Sequence, residues 1–83
     1  MPRDVWIQYE TKEAFEKASA GLLDLIRDSD GRDEIVIYVR DPKSIRRLGP
    51  ARSVKADVQL LETLRSAYGT ENVKVTERRT PGR

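Results

Sequence analysis

A chain of 83 residues with no cysteine and no histidine excludes disulfides, thiol nucleophiles and thiolate metal sites, and removes the imidazole on which triad hydrolases and most zinc enzymes rely. Charged residues make up 36% and hydrophobic residues 37%, the balance of one small domain that buries only about 60% of its unfolded surface and has little core to spare for a deep pocket. The net charge of +2 is unevenly spread: residues 1–30 hold four bases against seven acids, and residues 31–83 twelve against seven, which permits an anionic partner for the second half without requiring one.

The chain opens with "VWIQYE", residues 5–10. Val5, Ile7 and Tyr9 alternate with Trp6 and Gln8, the pattern of a half-buried strand. Thr11 offers an N-cap, its hydroxyl accepting from an orphan amide of the first turn. Phe15, Ala18, Leu22, Leu25 and Ile26 then fall at helical spacing and predict one apolar stripe. Glu13 and Glu16 near the start and Arg27 near the end suit the helix dipole. Gly21 costs such a helix about 1 kcal/mol against Ala, so close packing against a neighbour is expected there.

"DSDGRD", residues 28–33, stops the helix, with Gly31 expected to supply a positive φ in the turn. "EIVIYV", residues 34–39, is apolar on both faces and predicts a central strand. It contains the longest uninterrupted apolar run, Ile35 to Val39, far short of the roughly 18 residues that span a membrane. With no signal peptide evident, a cytoplasmic protein without membrane partners is expected. Asp41-Pro42 begins a turn, with Pro42 expected at its second position. "SIRRL" is the returning arm of a hairpin, and Gly49-Pro50 breaks it. "RSVKA", residues 52–56, is expected to add a short extension or edge strand. Asp57 caps a second helix with Leu60, Leu61, Leu64, Ala67 and Tyr68 as its stripe, and Gly69 stands at the C-terminal glycine position. "NVKVTE", residues 72–77, turns Val73 and Val75 inward as a last strand. The chain thus divides into one domain over residues 1–77 and a polar tail over 78–83 that is expected to be disordered.

The order β-α-β-β-(β)-α-β predicts an α+β two-layer sandwich, two helices on one face of a four- to five-stranded mixed sheet. No catalytic constellation emerges from it. Asp28, Asp30 and Asp33 resemble the start of a calcium loop, but the later ligand positions fall in the hydrophobic strand. The serines have no base at a recognisable spacing, and "GPAR" lacks both the repeated glycines of a phosphate loop and the glycine pair of a KH clamp. No catalytic residue, metal site or cofactor is expected.

The basic hairpin remains. Between residues 40 and 55 the chain carries Arg40, Lys43, Arg46, Arg47, Arg52 and Lys55 against Asp41 alone. If Val5, Ile7 and Tyr9 face the helices, then Trp6, Tyr38, Arg40, one of Arg46 or Arg47, and Lys74 share the outer sheet face. Aromatics among bases on an open sheet are what single-stranded nucleic-acid readers use for stacking. The same side chains suit a protein contact, in which Trp, Tyr and Arg carry most of the energy. They equally suit an exposed face that uses charge to discourage aggregation.

"VWIQYETKEAFEKASAGLLDLI", "DEIVIYVRDPKSIRRLGPARSVKAD" and "LLETLRSAYGTENVKV", in that order over about residues 4–76, resemble the extreme C-terminal domain of the bacterial DNA polymerase III alpha subunit, in the form found in Gram-positive anaerobes. The matching pieces are Val5-Trp6-Ile7, Ile35 to Val39, Arg47-Leu48-Gly49-Pro50, and the run from Leu64 through Tyr68-Gly69-Thr70-Glu71-Asn72-Val73. In that family the region follows an oligonucleotide-binding barrel, has been likened to a partial KH-type arrangement and helps hold the polymerase to the clamp-loader tau subunit. The metal-binding aspartates of the nucleotidyltransferase lie far upstream and are absent here. The resemblance therefore implies a non-catalytic domain involved in DNA replication, excised from a longer chain. It would dock to another replisome protein, tau or an adjacent domain of the same polymerase. The alternative is a small single-stranded nucleic-acid-binding module working through Trp6, Tyr38 and the arginines.

Overall fold

The computed structural model of the chain describes residues 2–49 and 52–77. Its elements are β1 (Arg3–Thr11), α1 (Lys12–Ile26), β2 (Glu34–Asp41), β3 (Lys43–Arg47), α2 (Val58–Tyr68), a 3-10 turn (Thr70–Asn72) and β4 (Val73–Glu77). The strands form one mixed sheet in the order β3-β2-β1-β4. β1 and β2 run parallel, joined through α1 in a βαβ unit, while β3 and β4 lie antiparallel at the two edges. The α+β sandwich expected from the hydrophobic pattern is the fold observed, with four strands.

One parity of each strand makes the core. Val5, Ile7 and Tyr9 of β1, Ile35, Ile37 and Val39 of β2 and Val73 of β4 cluster with Leu22 and Ile26 of α1 and Leu60 and Leu64 of α2. Both helices therefore cover the same sheet face. A one-residue slip of any strand would turn its apolar set away from them, and the two-residue side-chain period fixes the register. The helix starts form as their caps direct: the Thr11 hydroxyl accepts from the Ala14 amide at 3.1 Å, and the Asp57 carboxylate accepts from the Leu60 amide at 2.9 Å. Gly69, at φ +95°, ends α2.

Several local expectations are corrected. Leu25 is 36% exposed, and Leu23 packs on the core instead. Ala67 is exposed on α2. Residues 52–56 add no strand; they hold β2 through a single bridge between Val54 and Asp33. The pairing of Arg40 with Lys43 leaves Asp41-Pro42 as the hairpin tip, with a cis peptide bond between them and Pro42 third in the turn rather than second. Gly31 does not take a positive φ. It is glycine because an added Cβ would sit 2.6 Å from the Val54 carbonyl oxygen. Gly21, expected to pack closely, has nothing within 4 Å of an added Cβ. The 78–83 tail lies outside the described residues.

Asp33, considered above only as a calcium-loop look-alike, has a structural task. Its carboxylate accepts the Arg3 amide at 2.7 Å and the Ala56 amide at 2.8 Å. It thereby ties the start of β1 and the 52–56 segment to the head of β2. Among the described residues no cluster of acidic side chains is placed to hold a metal ion.

Candidate functional site

The face of the sheet opposite the helices is open. Strand register lays its side chains out in rows. Arg47, Val36, Trp6 and Lys74 form one row across all four strands; Ile45, Tyr38 and Gln8 form the next; Lys43, Arg40 and Glu10 form the third. Asp4 stands between Glu34 and Thr76 at the other end. Val36 illustrates what this face is made of. It lies on the solvent side, yet is 1% exposed, because larger side chains flank it in the sheet row.

Polar contacts fix the aromatic part of the face. The Trp6 indole N–H donates to the Thr76 hydroxyl at 3.0 Å. The Gln8 side-chain amide donates to the Asn72 side-chain carbonyl at 3.3 Å, and the Asn72 side-chain amide donates to the Tyr68 backbone carbonyl at 2.8 Å. The last bond ties the C-terminal end of α2 to the open face. Trp6, Gln8, Tyr38, Asn72, Lys74 and Thr76 line a shallow groove of about 200 Å³ there, with Glu71 of the 3-10 turn at its end. Ile45, beside Tyr38, is 59% exposed. Trp6, Tyr38 and Ile45 thus form an apolar patch that crosses three strands, seated on the buried Val36.

Both arginines of this face are engaged by its own carboxylates. The Arg47 guanidinium donates to both Asp4 carboxylate oxygens, at 2.8 and 3.2 Å, and to Glu34 at 3.2 Å. The hydrogen bond to Asp4 is the main reason that the Arg47 guanidinium holds its proton even more firmly than usual, with Glu34 assisting. Arg40 pairs with Glu10 at 3.1 Å. The strand positions facing outward carry four cations, Arg40, Lys43, Arg47 and Lys74, against three carboxylates, Asp4, Glu10 and Glu34. A surface of nearly balanced charge releases few counterions from a phosphate backbone and gains little of the affinity that drives nucleic-acid binding.

The basic residues singled out in the sequence therefore do not form one site. Trp6, Tyr38, Arg40, Lys43, Arg47 and Lys74 share the open face. Of the pair left undecided, Arg47 faces outward and Arg46, opposite Ile37, faces the helix side. Arg52 lies beside Arg46 at a groove on that side. Lys55 belongs to the 52–56 segment, where its amide donates to the Ser29 hydroxyl at 2.9 Å. Sequence reasoning missed Asp4, Glu10 and Glu34, the acids that neutralise the face. Period-two parity places all three outward, so the signal was present in the strand pattern. Ile45 was also missed as a member of the patch, since the returning arm of the hairpin has no stated face until its pairing with Tyr38 is known.

Comparison of the chain with protein-family models, with curated proteins and with solved structures finds no match to any of them.

Proposed function

We propose that this chain is a non-catalytic docking domain of the kind found at the C-terminal end of bacterial DNA polymerase III alpha subunits, and that it engages another replisome protein through its open sheet face. The observation that carries the docking role is the patch of Trp6, Tyr38 and Ile45, flanked by the Arg47–Asp4 and Arg40–Glu10 ion pairs and uncovered by either helix. Aromatic and aliphatic side chains ringed by polar and charged groups have the composition of an interface centre with a polar rim. The polymerase assignment rests on the sequence resemblance over Leu64 to Val73 and the three ordered segments, and it makes the clamp-loader tau subunit the first partner to test.

A protein partner is favoured over single-stranded nucleic acid. Arg47 and Arg40, two of the cations a nucleic-acid reader would need, are engaged by carboxylates of the same face. The test is a titration of isotope-labelled 83-residue chain with the tau subunit, followed by amide and indole NMR shifts. The indole of Trp6, the chain's single tryptophan, is a built-in reporter. Shifts at Trp6, Tyr38, Ile45 and Lys74 are expected. Their absence at saturating tau removes this partner. Shifts produced instead by oligodeoxythymidylate, fading steeply with added salt, would move the chain to the nucleic-acid class.

A further inference from the structure

The helix side of the sheet is not fully covered. α1 lies over β1 and β2, and α2 packs against β4. β3, at the far edge, has no helix above it, so its inward positions Ser44 and Arg46 remain exposed. Between α1 and this uncovered strand runs a groove of about 350 Å³. Its floor and wall are Phe15, Ser19, Leu22 and Leu23 from α1 and Leu48 beyond the end of β3. Arg46 and Arg52 stand at its rim beside Arg47, whose guanidinium is turned to Asp4 and Glu34 on the other face. Leu22 is 1% exposed and anchors the floor. Phe15, Leu23 and Leu48 pack on the core with one side and keep the other partly open.

The charge around this groove differs from that of the open face. Among the described residues, no carboxylate pairs with the guanidinium of Arg46 or of Arg52. No acidic side chain lines the groove. An unpaired guanidinium presents planar, forked donors that match a carboxylate. Two of them beside an aliphatic and aromatic floor define a two-part recognition chemistry: carboxylates for the rim, branched apolar side chains for the floor. A volume of this size takes two or three such side chains.

We infer that the groove between α1 and β3 binds an acidic peptide segment bearing leucine-type anchors, with Arg46 and Arg52 engaging its carboxylates and Phe15, Leu22, Leu23 and Leu48 seating its apolar side chains. β3 is the sheet's edge strand, and its lysine and arginines keep it from pairing with copies of itself while drawing an acidic segment toward it. The groove lies on the opposite side of the sheet from Trp6, and Arg47 is the one residue of the open face that also lines it; Arg46 and Arg52, which the open face does not use, therefore test this inference apart from the docking role.

The test uses the whole labelled chain and three short peptides: glutamates interrupted by leucine pairs, lysines interrupted by the same pairs, and glutamates interrupted by serines. The glutamate–leucine peptide is expected to shift Ser19, Leu23, Arg46 and Leu48 and to leave the Trp6 indole in place. The other two are expected to bind at least tenfold more weakly, one lacking the charge and the other the anchors. The Arg46→Glu and Arg52→Glu double variant, altered at two exposed side chains, is expected to keep its thermal midpoint and lose at least tenfold in affinity for the glutamate–leucine peptide. Equal binding of the lysine peptide, shifts confined to the Trp6 face, no shifts at all, or preferential shifts at the groove by oligodeoxythymidylate would each overturn the assignment.

Discussion

Asp4 and Arg47, 43 residues apart in sequence, meet across the open sheet face in a two-pronged ion pair whose carboxylate side chain is 8% exposed and whose guanidinium side chain is 46% exposed. The pair ties β1 to the edge strand β3 across β2, and Glu34 completes it. Its energetic weight is asymmetric. The exposed guanidinium is screened by water, but the carboxylate is desolvated and depends on its partner. Arg47→Ala is therefore expected to cost about 1–3 kcal/mol in denaturant unfolding. Arg46→Ala, its sequence neighbour on the other face, is expected to cost less than about 0.5 kcal/mol. Equal effects of the two substitutions would show that the ion pair does not hold the edge strand.

Two glycines that look alike in the sequence are expected to respond in opposite directions. Gly21 lies inside α1 with open space at its missing Cβ. Gly21→Ala removes backbone freedom from the unfolded chain and is expected to stabilise by about 1 kcal/mol. Gly31 faces the Val54 carbonyl oxygen and the Lys55 Cα, 2.6 and 2.9 Å from an added Cβ. Gly31→Ala must push the 52–56 segment away and is expected to destabilise by about 1–3 kcal/mol. Thermal unfolding of the two variants measures both signs.

Tyr9 packs edge-on against Phe15 and Tyr68, with ring centroids 5.3 and 5.8 Å apart. Its hydroxyl is buried and makes no hydrogen bond of good geometry, although the Tyr68 hydroxyl is near enough to oppose its ionisation. Tyr9→Phe is therefore expected to be neutral or to stabilise by up to about 1 kcal/mol; a loss larger than this would reveal a bond that the geometry lacks.

Burial raises the pKa of both Tyr9 and Tyr68 above the ordinary value of 10.0. The unfolded chain ionises these phenols near pH 10 while the folded chain keeps them neutral. Their contribution is thus whole below about pH 10 and is lost as pH rises beyond it. The unfolding midpoint is expected to fall through this alkaline range in the wild type, and to fall less steeply in Tyr9→Phe.

Much of this architecture was legible in the sequence because two periods alternate cleanly along it. Val5, Ile7 and Tyr9 announced their face, as did Ile35, Ile37 and Val39, and Thr11 and Asp57 marked both helix starts. What the pattern did not carry was pairing. That β2 lies beside β1 in parallel, and that β3 therefore becomes an edge, follows from packing in three dimensions. The division of the six bases followed from that placement: Arg46 and Arg47 are adjacent in sequence and lie on opposite faces. Gly31 was misread because its neighbour, the Val54 carbonyl, is 23 residues away. The "YGTENV" run has a structural reading of its own. Tyr68 packs on Tyr9, Gly69 takes the positive φ, Asn72 binds the Tyr68 carbonyl and Val73 enters the core. A helix-to-strand turn of this shape selects such residues in any protein that uses it.

The docking claim is tested most directly at Ile45, which is 59% exposed and contributes to the patch without contributing to the core. The affinity of the tau subunit for the wild-type chain and for Ile45→Asp, measured by calorimetry, is the decisive pair of numbers. A loss of at least tenfold, about 1.4 kcal/mol, at an unchanged thermal midpoint is the expected result. Equal affinity of the two proteins would contradict docking through the open face.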